Sequence, residues 1–395
     1  MNKKVFVTGV GAVGPCGNTA KTFWNGLLSR KNFISKLSSN GERTISPYIG
    51  GIVENINPEN YFSTRFLNKC SRFSILSLIA SREAILDAGI NMDESNKEKI
   101  GVFVGNNSGG WESAREGLKM IHKESSRLVS PYLASNWFPA AAQGHISIAF
   151  GIKGYSKTVI ADRVSSLLAI SYAAKAIRMG KIDIAIVGGV ETPLDDWALT
   201  FYNTTGILNK STKSPENAYK PFDKERKGMV LAEGAAYLVL ESEESVKRRN
   251  AQSKIKANIQ GFSMTHSGTK DQQAKSIEQC SASIRMAIEN SDISIDDIKL
   301  VSLDGVATES DDIVEARALN QVFKNKVQDK YFICPKASFG NTIGASGAFD
   351  VVLAIQSMNN SILPCMANLE NEDTECNLNF VSQKNISVPT NSALI

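Results

Sequence analysis

The stretch from Thr158 to Glu191 has the pattern of a site for a nucleophile. The residues before Ala161 are typical of a buried strand, Ala161-Asp162-Arg163 of a sharp turn, and Val164–Met179 of a long apolar helix, which a second strand follows at Ile182–Val187. A strand that turns abruptly into a helix presents one side chain at the helix N-terminus. Free N–H groups and the macrodipole favour an anion there, typically a thiolate or alkoxide that performs covalent catalysis.

The side chain at this position belongs to Arg163, which cannot act as such a nucleophile. The helix dipole alone makes a cation at this end unfavourable by about 0.3–1 kcal/mol, so we expect a carboxylate to balance it. The sequence therefore predicts a framework for a nucleophile from which the nucleophile is missing.

Three glycines near the N-terminus form a second candidate site. Gly9, Gly11 and Gly14 follow a predicted strand and give the GxGxxG pattern of a dinucleotide-binding turn. That pattern needs a helix that opens at the glycines and an acidic residue about 20 positions later. Pro15 follows instead, and the first acidic residue is Glu42. We therefore interpret the glycines as a tight turn.

Strands and helices alternate along the chain in an order that its two halves share. Outside the central stretch, periodicity and turn residues predict strands at 99–105, 254–264, 299–305 and 331–335, helices at 19–28, 67–88, 273–290 and 311–323, and a glycine-rich turn into a buried helix at 340–360. This repetition predicts a duplicated α/β unit with one layered core. We place the first half at residues 1–245 and the second half at residues 246–395.

Composition argues against several classes of protein. The chain has 395 residues, of which 42% are hydrophobic and 21% charged, enough for two domains with cores of their own. No apolar run approaches the about 18 residues of a membrane span, and no signal peptide precedes the first strand, so we expect a cytoplasmic protein without a membrane partner. The six cysteines lack ligand spacing, so we expect reduced thiols and no metal site. The net charge of +4 does not indicate a nucleic-acid partner.

Several longer motifs occur in a fixed order from one end of the chain to the other. They are VFVTGVGAVGPCGNT, GIKG, AIVGGVE, PFDKERKGMVLAEGAAYLVLE, KASFGNTIGASGAFDVVLAI and CNLNFV. In these motifs the chain resembles the β-ketoacyl synthases. The resemblance implies a thiolase-like α/β fold, in which duplicated α/β halves form a layered α-β-α-β-α arrangement.

Active members of that family carry a cysteine in a TAC-like motif, a histidine in an AHGT-like motif and a second histidine in a GHxxGAxG-like motif. The matching positions in this sequence are Arg163, Asp304 and Asn341. Arginine cannot be acylated at neutral pH, an aspartate repels an enolate, and an asparagine donates hydrogen bonds but relays no proton. Independent decarboxylative condensation is therefore not expected.

Charged residues that support the family's active site remain in this sequence. They are Lys336, Asp312, Glu315 and Asp350, and we interpret them as a structural network. Because the nucleophile and the first histidine face each other in active relatives, Arg163 should face Asp304. We predict a buried, hydrogen-bonded and bidentate ion pair whose disruption costs about 3–5 kcal/mol, with Lys336 as the competing partner of Asp304.

Chain-length factors of type II polyketide synthases are the family members that keep the fold without the nucleophile. The chain resembles them in LDGVATESDDIVEARAL and PKASFGNTIGASGAFDVV. The resemblance implies a heterodimer with an active ketosynthase and a polyketide tunnel along the interface. It also implies no cofactor of the chain's own, since phosphopantetheine arrives on the partner acyl carrier protein. Chain-length factors commonly carry glutamine at the turn, so Arg163 is unusual.

Two further family features concern gates. The gating helix follows a Gly-Gly pair, here Gly109-Gly110, and on that match Trp111, Ala114 and Leu118 are predicted to share the face that lines the tunnel. The family ends with an FGFGG-like gate and one more strand, whereas this sequence ends at PTNSALI. Our preferred alignment places residues 388–395 on the strand before the gate. The alternative places residues 391–395 on the last strand.

Two other functions stay open at this point. The chain could be an active acyltransferase or β-ketoacyl synthase that uses Ser165 or Ser166 as its nucleophile. The histidines, His122, His145 and His266, are more typical of structural or surface residues, and His145 is predicted to be a satisfied core residue. Alternatively, the chain could be an acyl-binding module without a ketosynthase partner.

Overall fold

Two β-sheets and the helices between them organise the protein. The computed structural model describes residues 3–37, 48–211, 213–268 and 273–395. The strands are β1 (Val5–Val13), β2 (Ile34–Lys36), β3 (Ile49–Gly51), β4 (Ile100–Gly105), β5 (Lys157–Val159), β6 (Ile184–Glu191), β7 (Gly234–Ser242), β8 (Ala257–Asn258), β9 (Leu300–Ser302), β10 (Tyr331–Ile333), β11 (Ile362–Leu363), β12 (Ile386–Ser387) and β13 (Ala393–Leu394).

The helices alternate with these strands much as the sequence predicts. They are α1 (Ala20–Leu28), α2 (Thr64–Leu67), α3 (Arg72–Ala88), α4 (Trp111–Lys123), α5 (Leu133–Asn136), α6 (Ala141–Phe150), α7 (Ser165–Arg178), α8 (Asp196–Thr204), α9 (Glu243–Arg248), α10 (Gln273–Glu289), α11 (Glu309–Phe323) and α12 (Ser346–Asn360). Two expectations were wrong. The helix predicted at 67–88 is divided into α2 and α3, because Ser71 has an extended backbone and is the N-cap of a new helix. The strand predicted at 254–264 is much shorter in the structure and consists only of β8, which pairs with β1.

The first sheet has six strands in the order β5-β4-β6-β7-β1-β8. β4 pairs with β5 and β6 in parallel, whereas β7 runs antiparallel to both of its neighbours, β6 and β1. The second sheet has the order β10-β9-β13 and is parallel throughout. β4 in the first sheet and β9 in the second therefore occupy equivalent positions. Each lies between two parallel neighbours, β5 and β6 for β4, and β10 and β13 for β9.

Successive residues of a strand point to opposite faces of its sheet, so each face can be assigned to the helices that pack on it. In β4, Phe103 packs on the side of α7 and α12, whereas Val102 packs with α3 and α6. In the second sheet, Leu300 packs on the side of α12 and Val301 on the side of α11. The layers follow one another as helices, sheet, the pair α7 and α12, sheet, and helices, which confirms the predicted α-β-α-β-α arrangement. The division at residue 245 stays a prediction.

The two halves meet at matching turns. A short 3-10 turn, Asp162–Val164, enters α7, and a second one, Ile343–Ala345, enters α12. The two turns contact each other, and so do the two helices. Each turn begins with a residue of positive φ, 50° for Asp162 and 43° for Ile343. Non-glycine residues in this region typically cost about 1–3 kcal/mol, so the surrounding structure must fix both turns.

Of the three GxGxxG glycines, Gly14 lies in the predicted tight turn, which two backbone hydrogen bonds with Gly17 close at 2.9 and 3.0 Å, whereas Gly9 and Gly11 do not. Gly9 and Gly11 lie inside β1, against α3. A Cβ atom at either position would lie 2.1 Å from a backbone oxygen of α3, that of Ala84 or of Ala80. These glycines therefore let a helix approach the sheet closely, which is a packing role.

The end of the chain pairs with the second sheet. β13 runs parallel to β9, with Ala393 beside Leu300. β6 runs parallel to β4 in the same way, and the antiparallel strand β7 follows β6. The parallel pairing of β13 agrees with the preferred alignment, which places residues 388–395 on the strand before the gate.

The close packing of α3 on β1 is testable with one added methyl group. Gly11→Ala is expected to lower the free energy of unfolding by about 1–3 kcal/mol, because the new Cβ atom displaces the backbone of α3. Gly144→Ala in α6 is the matched control, since a Cβ atom there has no neighbour within 4 Å. Urea unfolding measures both, and equal stabilities of the two variants would contradict this packing role.

Candidate functional site

The turn between β5 and α7 presents the Arg163 side chain. Ser165 fixes the turn, because its Oγ accepts a hydrogen bond from the Ala161 N–H at 2.8 Å and donates one to the Asp162 carbonyl at 2.6 Å. Asp162 takes up the positive φ that the sharp change of direction requires. The local sequence thus forms the predicted framework, with a guanidinium at its centre.

Arg163 is paired with Asp304, as the opposition of the two positions predicts. Nε of Arg163 lies 3.0 Å from Oδ2 of Asp304. The Asp304 carboxylate is the main cause of the raised pKa of Arg163. The expected burial and bidentate hydrogen bonding are wrong, because the two side chains are 26% and 39% exposed and no hydrogen bond of good geometry joins them. Solvent reaches the pair, so its contribution to stability is that of a surface ion pair.

Glu315 holds the loop that carries Asp304. Its carboxylate accepts hydrogen bonds from the backbone N–H of Asp304 at 2.7 Å and of Gly305 at 3.0 Å. Burial and the neighbouring Asp304 carboxylate raise the pKa of Glu315 to about 8. Glu315 is therefore a positioning residue for the aspartate that balances Arg163.

Asp312 holds the same loop against the segment before β7. Its carboxylate accepts from the N–H of Phe222 at 2.7 Å and of Ala307 at 2.9 Å, and Arg226 Nε lies 3.5 Å away. Burial raises the pKa of Asp312 to about 7. This geometry fits the predicted structural role.

Lys336 and Asp350 form a separate ion pair, which answers the question of competition for Asp304. Nζ of Lys336 lies 2.5 Å from Oδ2 of Asp350, and the side chains are 0% and 6% exposed. Burial alone lowers the pKa of Lys336, but the Asp350 carboxylate outweighs it and raises that pKa. Ser302 Oγ donates to the other oxygen of Asp350 at 3.2 Å. Lys336 therefore does not compete with Arg163 for Asp304.

Asn341 uses its side chain to fix the second turn. Its Oδ1 accepts from the Ile343 N–H and from Ser346 Oγ, both at 2.8 Å. Its Nδ2 lies 3.5 Å from the Tyr219 hydroxyl. The residue is fully buried. Asn341 thus stabilises the entry into α12, and its amide oxygen is already engaged.

Glu191 joins both halves at this site, and the sequence reasoning missed it. Its buried carboxylate accepts from the backbone N–H of Asn107 at 2.8 Å, of Ser108 at 2.9 Å and of Gly344 at 3.2 Å. Burial raises the pKa of Glu191 to about 7, against the effect of these hydrogen bonds. An acidic residue at the end of a buried strand, in the motif AIVGGVE, was the available signal.

The two serines of α7 are engaged in the framework. Both are fully buried. Ser165 Oγ bridges the turn, and Ser166 Oγ accepts from the Ala348 N–H at 3.0 Å. Neither hydroxyl is free to attack a thioester in this arrangement.

His145 is buried as predicted, but its hydrogen bonding is not satisfied. Its Nδ1 is buried without a partner, and its ring lies edge-on to Phe66. Burial lowers its pKa, so the neutral imidazole is favoured. His122 and His266 are exposed. In the part of the chain that the structure describes, no group of three or more His, Cys, Asp or Glu side chains could hold a metal ion.

The predicted tunnel residues lie on the outer face of α4. The Trp111 ring contacts Phe201 edge-on at 5.9 Å, Ala114 is half-buried, and Leu118 is 41% exposed. Two cavities of about 480 and 580 Å³ lie elsewhere and are lined by other residues of α4, among them Glu112 and Glu116. Trp111, Ala114 and Leu118 therefore line none of the cavities described within this chain, and their tunnel role stays a prediction that depends on a partner.

The matched strand–turn–helix units, with their turns in contact at the centre of five layers, define a protein of the thiolase fold. Two family models match the sequence, "Beta-ketoacyl synthase, N-terminal domain" over residues 2–246 and "Beta-ketoacyl synthase, C-terminal domain" over residues 256–370. The chain belongs to the beta-ketoacyl synthase family.

Curated relatives match over nearly the whole chain. The chain is 29% identical over 381 residues to a 3-oxoacyl-[acyl-carrier-protein] synthase 2 of Staphylococcus aureus strain COL, with 96% of this chain and 91% of that protein covered. It is 27% identical over 383 residues to the synthase of the same name from Coxiella burnetii strain RSA 493, with 96% and 91% covered.

Among the residues described, no helix is long and apolar enough to cross a membrane.

Solved structures show the same fold. A beta-ketoacyl synthase from Burkholderia phymatum STM815 superposes with a TM-score of 0.90 at 25% identity and covers 98% of this chain and 94% of that one. A chain of a type II PKS acyl-carrier protein in complex with its ketosynthase bound to the hexaketide gives 0.88 at 24%, covering 100% and 95%. The ishigamide ketosynthase/chain length factor gives 0.87 at 22%, covering 98% and 94%.

The two ion pairs of the site should respond differently to mutation. A double-mutant cycle with Arg163→Ala and Asp304→Ala is expected to give a coupling free energy of about 1 kcal/mol or less, because solvent reaches both side chains. Lys336→Met should lower the free energy of unfolding by about 3–5 kcal/mol, because it leaves Asp350 buried and unpaired. Urea unfolding of the isolated chain measures both effects. A Lys336→Met chain as stable as Arg163→Ala would contradict this assignment.

Proposed function

We propose that this chain is a non-catalytic chain-length factor, which forms a heterodimer with an active ketosynthase and shapes the tunnel that holds the growing polyketide. One observation carries the proposal. The side chain at the end of the β5 turn is Arg163, paired with Asp304 at 3.0 Å, where an acyl-accepting sulfur would have to be. Condensation on a thioester needs a nucleophile that carries the acyl chain, and this site has none.

The surrounding groups support the same conclusion. The Asp304 carboxylate lies beside the position of the missing nucleophile and would destabilise a developing enolate. Asn341 has its amide oxygen engaged by Ile343 and Ser346. The hydroxyls of Ser165 and Ser166 are also engaged. The active acyltransferase that serine chemistry would require is thus the less supported alternative, although the curated relatives are named as synthases.

An exposed apolar surface provides a place for the partner. It consists of Trp137, Phe138, Ile160 and Val164, which are between 44% and 56% exposed. The segments that carry them are neighbours, because Asn106 donates hydrogen bonds to the Val159 carbonyl from its backbone N–H and to the Pro139 carbonyl from its side chain. Several large exposed apolar side chains on neighbouring segments are typical of protein interfaces. This observation favours a subunit over an acyl-binding module that acts alone.

The partner would supply what this chain lacks. The ketosynthase would carry the acyl chain on its own nucleophile, and the acyl carrier protein would deliver extender units on phosphopantetheine. In such a complex, Trp111, Ala114 and Leu118 of α4 would line the tunnel from this side, since their face is only partly buried in the isolated chain. This division of labour needs no cofactor bound to the chain itself.

Two measurements on purified proteins test the proposal. The isolated chain, incubated with radiolabelled acyl-carrier protein, is expected to take up no label. Co-expression with a neighbouring ketosynthase should give a complex that elutes as a heterodimer in size exclusion and makes polyketide, and the ketosynthase alone should not. Self-acylation or chain elongation by the isolated chain would refute the proposal. A chain that binds acyl groups but no ketosynthase would support the partner-free module.

The gate is tested separately by the size of the product. Trp111→Ala removes the largest side chain from the predicted tunnel face, so the complex is expected to make a longer polyketide. Met120→Ala is the matched control, because Met120 lies on the same helix but lines the 580 Å³ cavity instead. Mass spectrometry of the products distinguishes the two. An unchanged product of Trp111→Ala, or an equal lengthening by Met120→Ala, would count against the gate.

A further inference from the structure

The segment that begins the second half packs on its helix as β1 packs on α3. A Cβ atom added to Gly9 of β1 would lie 2.1 Å from the carbonyl oxygen of Ala84 in α3. A Cβ atom added to Gly261 would lie 2.1 Å from the carbonyl oxygen of Ala287 in α10. Residues 259–265 therefore have the place in the second half that β1 has in the first.

A second pair of contacts gives the same correspondence. Two positions further along β1, a Cβ atom on Gly11 would lie 2.1 Å from the carbonyl oxygen of Ala80, one helical turn nearer the start of α3. Two positions after Gly261, Ser263 Oγ donates to the carbonyl of Ser283 at 2.5 Å, one turn nearer the start of α10. The two segments thus run in the same direction over their helices with the same register.

The second sheet lacks the strand that joins these places in the first sheet. β7 pairs with β1 on one side and with β6 on the other, antiparallel to both. β13 is the counterpart of β6, because β13 runs parallel to β9 as β6 runs parallel to β4. In the described parts of the chain, β13 is the last strand of its sheet and residues 259–265 belong to no strand. Between β13 and residues 259–265 there is consequently a slot for one strand.

Both walls of this slot are more exposed than their counterparts in the first sheet. Met264 is 63% exposed, whereas Ala12, at the matching position of β1, is fully buried. Ala393 and Leu394 of β13 are half-buried, whereas every residue of β6 is buried. Within the described ranges, the backbone N–H groups of residues 260–265 donate no hydrogen bond. An apolar slot with unpaired backbone groups is a template for an added strand.

Arg178 of α7 lies at one end of the slot. Its Nη2 donates to the carbonyl of Ile259 at 2.8 Å and to that of Gln260 at 2.7 Å. Its Nε is buried and has no hydrogen-bond partner among the described residues. At the corresponding end of the first sheet, Glu241 of β7 pairs with Phe6 of β1. A carboxylate near the C-terminal end of an added strand would therefore meet a guanidinium N–H that has no acceptor.

We propose that the slot binds an extended segment of a second polypeptide, which becomes the strand between β13 and residues 259–265 and runs antiparallel to both. Every strand described in this chain already has a place in a sheet, so the added strand comes from another polypeptide. Both faces of that strand would be covered, as those of β7 are. The segment is therefore apolar on both faces and carries a carboxylate near its C-terminal end. The inference is independent of the chain-length-factor role.

A peptide with the sequence of β7 itself, GAAYLVLES (Gly234–Ser242), is the probe. Added to the isolated chain, it is expected to slow amide hydrogen exchange about tenfold or more at residues 260–265 and 393–394, because it supplies the missing hydrogen-bond partners. Fluorescence anisotropy of the labelled peptide measures its affinity. The Leu238→Pro peptide is the matched control and is expected not to bind, because proline lacks the N–H that a central strand needs.

The role of Arg178 is tested by exchanging one charge on each side. The Glu241→Gln peptide is expected to bind the wild-type chain about tenfold more weakly than GAAYLVLES, because a hydrogen bond to a charged group is lost. The Arg178→Met chain should bind the two peptides equally. Lys175→Met, which changes an exposed residue of the same helix, should keep the tenfold difference.

Four results would overturn the inference. They are no binding of GAAYLVLES, equal binding of the Leu238→Pro peptide, protection that lies outside residues 260–265 and 393–394, and protection of these residues by self-association of the chain without peptide. The last result would assign the slot to a second copy of this chain. Loss of the ketosynthase complex has no bearing on any of these measurements, so the proposed function and this inference fail separately.

Discussion

A positively charged side chain at the N-terminal end of a helix, where the helix dipole is also positive, needs a negative charge beside it. The site depends on how this protein supplies that charge. Arg163 lies where the dipole of α7 favours an anion, and Asp304 supplies the opposite charge at 3.0 Å. The aspartate is held in place by the backbone contacts of Glu315. The turn thus carries a cation whose charge is balanced within the same framework.

The carboxylates around this pair have one function in common. Glu191, Glu315 and Asp312 each accept two or more backbone N–H groups, and those that Glu191 and Asp312 accept come from two separate parts of the chain. A buried carboxylate with several donors fixes loop geometry more strongly than a neutral side chain does. These carboxylates therefore fix the geometry of the loops around the Arg163–Asp304 pair.

Much of this architecture follows from the sequence by simple rules. The alternation of strands and helices in both halves and the abrupt strand-to-helix turns predict the layers, and aligned motifs predict that Arg163 meets Asp304. Other features depend on distances that no local pattern encodes. The glycines of β1 are explained only when α3 is seen against them. The exposure of the Arg163–Asp304 pair and the unpartnered Nδ1 of His145 depend on the whole surrounding chain. The role of Glu191 required knowing that two loops, one from each half, converge on it.

The two matching turns are unequal in one respect. The 3-10 turn before α7 carries Arg163 in its middle position, and the turn before α12 carries Gly344 in the same position. A Cβ atom on Gly344 would lie 2.7 Å from Oε2 of Glu191 and 2.8 Å from backbone atoms of Asn106. The duplicated unit thus has room for only one large side chain at its centre of pseudo-symmetry. The side chain at the centre of the site can therefore vary only in the turn before α7, because the turn before α12 has to stay narrow for the two halves to pack together.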